Sequence, residues 1–219
     1  MAGKIRSLQD LQQFDVNRRG QYEGVRQSYY DIQTYANAGQ TKLSFFQVPI
    51  GQSSKTIADT NMRNAGMLPQ PINFLVESIE IVFFPGVLPT TKGVAVAETE
   101  FSNDVYTVAK SGSLKFYIGS KTYLEEAPLG RFPPKTRLTM DSAHAISELQ
   151  AVAADSELQV STDYASFIGR PYALDPEILL VPNQNFEISL EWPAVVALPS
   201  GVDGRIGVIM DGIQYRQSQ

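Results

Sequence analysis

The stretch DTNMRNAGMLPQP, Asp59 to Pro71, puts an acid, a hydroxyl and two amides (Asp59, Thr60, Asn61, Asn64) within six residues. Those oxygens suit either a calcium ion, which takes oxygen ligands only, or a loop whose side chains bond to nearby backbone. Asp203 and Asp211 are a second oxygen-bearing pair, but neither stretch has the spaced acids of an EF-hand loop. The loop reading is preferred, and no metal is expected. Glu187 and Glu191 flank Ser189 on one face of a predicted strand, the arrangement a glycosidase requires if both acids meet in one cleft. Like charges on the outward face of a strand more often keep a sheet soluble. The single histidine, His144, lies between two alanines and no G-x-S-x-G elbow frames a serine, so a hydrolase triad has no support. One histidine and no cysteine cannot build a His/Cys zinc or iron site, and no phosphate-loop motif occurs. The expectation is a protein that is not an enzyme and carries no cofactor.

Composition points the same way. A chain of 219 residues suits one domain, or one domain with an arm, and buries enough surface to need no disulfide or metal. Eighteen basic residues against 23 acidic ones give a net charge of −5, which argues against direct nucleic-acid binding, an affinity built from clustered Lys and Arg. Met1 to Phe14 lacks the apolar core of a signal peptide, and no run approaches the ~18 apolar residues of a membrane span. A soluble protein made in the cytoplasm is expected.

The elements that would position these groups are mostly strands. Residues 1 to 40 hold 7 of the 16 glutamines and 4 of the 10 tyrosines (Tyr22, Tyr29, Tyr30, Tyr35), with five basic and four acidic residues, net +1. Poor in aliphatic residues, this segment reads as an N-terminal arm that docks on a neighbouring subunit through Tyr22, Arg26, Tyr29, Tyr30 and Tyr35, since Tyr and Arg are enriched where surfaces meet. A short helix is predicted from Ser7 to about Asp15. From residue 41 to 219 the chain reads as a β domain. Strands are predicted at 42–50, 72–84, 104–109, 113–119, 121–126, 135–140, 157–161, 177–182 and 185–192, where Phe186, Ile188, Leu190 and Trp192 alternate strictly with polar residues. Asp211-Gly212 is a hairpin-turn signal within RIGVIMDGIQYR. Ser142 to about Ala154 reads as the one loop helix. About eight antiparallel strands with connections of uneven length indicate an all-β jelly-roll sandwich in preference to another β-sandwich.

The pieces TKLSFFQVPIG, DTNMRNAGMLPQPINFLVESIEIVFFPG and FEISLEWPAVVALPSGVDGRIGVIMDGIQYR resemble a single jelly-roll capsid protein of a tailless icosahedral bacteriophage. The resemblance implies a virion protein whose partners are copies of itself and other capsid proteins, with an internal membrane or genome beneath the shell. An arm of +1 departs from the strongly basic arms that package nucleic acid. Met62, Met67 and Leu68 are apolar in a predicted loop, so they are expected to pack on the β domain or on an adjacent subunit and are candidate interface residues. The alternative reading is a ligand- or carbohydrate-binding β-sandwich module.

Overall fold

Strands with one apolar face bury it only against a second apolar layer, and this chain supplies two such layers. A computed structural model describes residues 22–86, 99–135, 143–146, 159–162 and 169–217. Among them are strands β1 (Tyr22–Tyr35), β2 (Lys42–Phe45) and β3 (Asn73–Phe84), helix α1 (Thr99–Ser111), then β4 (Ser113–Ile118), β5 (Lys121–Glu126), β6 (Ala143–Ile146), β7 (Gln159–Thr162), β8 (Tyr172–Leu180), β9 (Phe186–Glu191) and β10 (Gly204–Gln217). One sheet has the order β1-β10-β3-β8 and the other β2-β9-β4-β5, while β6 and β7 pair as a separate hairpin. All these pairings are antiparallel. They are also nested along the chain: β1 with β10, β2 with β9, β3 with β8 and β4 with β5.

The two sheets share one core, which makes the fold an all-β sandwich. Val76, Ile79, Ile206, Val208 and Met210 from the first sheet join Phe45, Leu114, Phe116 and Ile188 from the second in a single buried cluster. Each fully buried side chain of this size contributes about 1.5–3 kcal/mol. Trp192 lies in the core edge-on to Tyr35, with ring centroids 5.3 Å apart, and its indole N–H donates to the Val108 carbonyl at 3.1 Å. That bond ties α1 to the end of β9.

Four expectations are corrected by the described residues. Tyr22–Tyr35, read as part of an arm ending at residue 40, is a fourteen-residue strand paired with β10 along its whole length. Its polar composition is compatible with a strand at the margin of a sheet, where half the side chains meet water. Residues 104–109, read as a strand, lie in α1. Asp104 and Val108, one helical turn apart, are both buried, and Asp104 accepts from the Ser200 N–H at 3.0 Å and its hydroxyl at 2.6 Å. Gly112 follows the helix because a Cβ there would sit 2.5 Å from Leu129 Cδ1 and 2.6 Å from Trp192 Nε1. Residues 143–146 of the expected loop helix are strand β6, with His144 opposite Ser161, and the remainder of that helix is outside the described residues.

The fourth correction concerns Asp211-Gly212, which continues β10 in place of a hairpin turn, at a register shift against β3 where Glu77 is skipped. A Cβ on Gly212 would lie 1.9 Å from the Leu75 carbonyl oxygen, so only glycine permits this approach of β10 to β3. The predicted helix at Ser7 to Asp15 and the strand at 136–140 are outside the described residues.

Candidate functional site

The part of the fold richest in polar organisation is β1 with the long connection from Phe46 to Ile72. β1 stands at the margin of its sheet and would otherwise present unpaired backbone groups to solvent. The connection is laced onto it. Ile32 N–H donates to the Asp59 carbonyl at 2.7 Å, Tyr30 N–H to Asn61 Oδ1 at 3.1 Å, the Thr60 hydroxyl to the Tyr30 carbonyl at 3.0 Å, and Asn61 Nδ2 to the Ser28 carbonyl at 2.7 Å. Asp59 accepts from the Thr56 N–H at 2.8 Å and hydroxyl at 2.9 Å and pairs with Arg205; these hydrogen bonds, led by the Thr56 N–H, hold its carboxyl below the ordinary range. Thus Asp59, Thr60 and Asn61 spend their oxygens on hydrogen bonds within the loop and to β1 and β10, the structural alternative to calcium. Asp203 likewise accepts from the Asn37 N–H at 2.7 Å.

At the centre of this junction is Asp31, fully buried on the inward side of β1. Its carboxylate pairs with Lys55 of the connection, accepts from Phe46 N–H at 2.7 Å and is reached by Gln33 Nε2 at 3.5 Å. Burial pushes the Asp31 carboxyl above its ordinary range, opposed first by the bond from Lys55 and then by the Phe46 N–H. Phe46 has φ +69°, a left-handed conformation unfavourable for a bulky side chain, and the bond from its N–H to Asp31 holds it there. One acid therefore fixes β1, the end of β2 and the connection at once.

The residues assigned to an interface fall into two groups. Tyr29, Tyr35, Met62 and Leu68 are buried in the chain's own core, with the Tyr29 hydroxyl on Gln214 at 3.0 Å and the Tyr35 hydroxyl on the Val196 carbonyl at 2.6 Å. Offering them to a neighbour would require opening the sandwich, so their assignment to a subunit interface is withdrawn. Tyr30 and Met67 are half-buried, the former bonding the Ile57 carbonyl. Arg26 is exposed and reaches Glu77 at 2.8 Å. Tyr22 begins β1, and its side chain is outside the described residues.

A second polar cluster lies nearby, where Ser28 and Lys135 Nζ (3.3 Å) both meet Asp211 and the Lys135 N–H meets Glu80. Burial, then to a lesser degree the charge of Asp211, raises the Glu80 carboxyl. Glu191 lies 2.9 Å from Lys115 and 3.4 Å from Lys42, and the hydrogen bond from Lys115 holds its carboxyl low. A carboxyl held ionised by two ammonium groups is poorly suited to act as the proton donor of a glycosidase. Among the described residues no group of His, Asp and Glu is arranged to hold a metal. The apolar pocket between α1 and the first sheet, lined by Ile81, Phe83, Val108, Phe132 and Ile206 among others, is a small one, with a cavity volume of about 30 Å³.

Comparison with family models, curated proteins and solved structures finds no match. The reading therefore rests on the chain itself. Sequence reasoning passed over Asp31 and Lys55. The signal was present in SYYDIQTY, where Tyr29, Asp31, Gln33 and Tyr35 alternate with Ser28, Tyr30, Ile32 and Thr34: an acid on the aromatic side of a two-residue period implies a buried partner.

Proposed function

We propose that the sandwich is a jelly roll and that the chain is a self-assembling shell subunit of virion type. The observation that carries the reading is the nested pairing of the eight principal strands. Counted in chain order without the β6-β7 hairpin, first pairs with last, second with seventh, third with sixth and fourth with fifth. That is the order obtained by rolling up one long antiparallel ribbon, the construction of the jelly-roll class that includes viral capsid domains. Apolar side chains exposed in the connections, Ile50 and Ile57 before β3 and Val195 after β9, support burial against further copies. In this reading the subunit's partners are copies of itself and other shell proteins, and a membrane beneath the shell is compatible with it.

Electron microscopy and light scattering of the purified chain test the proposal. Closed particles, or reversible oligomers growing with concentration, are expected; a monomer at every concentration overturns it. A truncation probing the arm must stop at residue 21, because deletion of residues 1–40 removes β1 and with it one side of the first sheet.

A further inference from the structure

Among the described residues four strands stand at the margins of the two sheets, and three of them are ill-suited to pair further. β2 has four residues. β5 shifts register between Phe116 and Tyr117, leaving Tyr123 without an opposite residue. β8 carries Pro176, which has no N–H, at its own break in register against β3. Short length, bulges and proline are three of the devices that keep a margin from adding strands, beside charged side chains. β1 is long, unbulged and free of proline, its charges Glu23 and Arg26 are of opposite sign, and it keeps register with β10 from Tyr22 opposite Gln217 to Tyr35 opposite Gly204. The connection caps only its middle, through the backbone groups of Ser28, Tyr30 and Ile32. Those bonds show that even-numbered residues of β1 turn their N–H and C=O away from β10, so the two-residue period turns those of Gly24 and Arg26 to the same side. Residues Gly24 to Gln27 are exposed, and no described residue takes up these backbone groups.

We infer that this open length of β1 pairs antiparallel with the same length of β1 in a second copy, about a two-fold axis at Val25. An extended chain is the partner that satisfies alternating N–H and C=O groups along a sheet margin. The side chains select a copy of this strand and the register. Outward-turned residues must meet outward-turned residues, so the dyad can fall at Gly24, Val25 or Arg26. A dyad at Arg26 opposes two guanidinium groups, and one at Gly24 sets the Glu23 carboxylate against Val25. A dyad at Val25 sets the 38% exposed Val25 against its own counterpart, Arg26 against Gly24, and Glu23 against Gln27. Each of the two Gly24–Arg26 pairs exchanges two backbone hydrogen bonds, and the two four-stranded sheets become one continuous sheet of eight. The contact is small and so weak by itself; it rests on the self-association proposed above and names its strand, partner and register.

The absence of cysteine makes a direct test. Val25→Cys would place two thiols at a non-hydrogen-bonded antiparallel pair, where the Cα separation of about 4.5 Å falls within disulfide range. Under mild oxidation V25C should form covalent dimers at least ~10-fold faster than Ile57→Cys, an exposed control, while Arg26→Cys stays at the control rate; light scattering should show V25D associating about 10-fold more weakly than wild type. The inference is overturned if V25C cross-links no faster than I57C, if R26C outpaces V25C, or if V25D associates unchanged. When V25C fails but the wild-type chain assembles, this contact falls and the shell reading stands. When the wild-type chain is monomeric throughout and V25C fails, both fall.

Discussion

Lys55→Met isolates the energetic role of Asp31. Methionine keeps most of the aliphatic stem of Lys55, whose side chain is 12% exposed, but removes the ammonium from a carboxylate with no exposure at all. Left with the Phe46 N–H at 2.7 Å and Gln33 at 3.5 Å, Asp31 must either stay ionised in the core or take up a proton. Stranding one member of a buried pair costs about 3–5 kcal/mol. Protonation sets the ceiling: with an unfolded pKa of about 3.9, neutralising the group at pH ~7 costs about 1.4 kcal/mol for each of three pH units, close to 4 kcal/mol. The sign follows. Burial already raises the folded pKa of Asp31, and losing its largest opposing partner raises it further. The folded variant then holds a proton that the unfolded chain releases above about pH 4, so its stability falls with rising pH and the deficit against wild type shrinks on acidification. Urea titrations at pH ~7 and ~4.5 should give a loss of about 3–4 kcal/mol at the first and under half of that at the second, and D31N/K55M should recover most of the neutral-pH loss. A cost below ~1 kcal/mol at neutral pH, or equal costs at both, refutes the assignment of Asp31 and Lys55 as a buried ion pair.

Gly212→Ala should lower stability by more than ~2 kcal/mol in thermal denaturation, because the new methyl meets the Leu75 carbonyl oxygen. Asp104→Ala strips two hydrogen bonds from Ser200 and should cost about 1–3 kcal/mol, read in urea by the fluorescence of Trp192, the single tryptophan. Glu191→Gln gives the pH trend opposite to Lys55→Met. The folded carboxyl lies below its ordinary value, so its contribution is present above about pH 4.5, fades as pH falls through the folded value, and the variant and wild-type midpoints should converge in acid.

The strands legible in the sequence were those with a single buried face. Phe186, Ile188 and Leu190 in β9, and Leu114, Phe116 and Ile118 in β4, follow the two-residue period because every second side chain must enter the core. Misreadings arose where a local signal has two structural meanings. Asp-Gly makes a tight turn or runs on as strand opposite a neighbour's irregularity, and the choice is made by β1 and β3 on either side of β10, hundreds of bonds away in the chain. Tyrosine has an apolar ring and a polar tip, so composition does not separate an interface tyrosine from Tyr35, whose ring is buried and whose hydroxyl finds the Val196 carbonyl. DVYTVA is rich in branched residues yet places Asp104 and Val108 one helical turn apart, and the partner that makes a buried Asp104 tolerable, Ser200, lies 96 residues on. The polar connection before β3 was readable as loop chemistry, but its target on β1 was not, because hydrogen-bond partners some 30 residues away leave no local pattern.

The position of β10 between β1 and β3 sets an order of events during synthesis. The strand translated last among those described fills the middle of its sheet, and its neighbours are the first and third strands. Until it leaves the ribosome, β1 and β3 have no partner for their facing backbone groups, so the first sheet cannot close before β10 is made. From the synthesis of β3 until that of β10 the growing chain holds β1 without its strand partner and one side of β3 open, the interval in which a chaperone has most to protect.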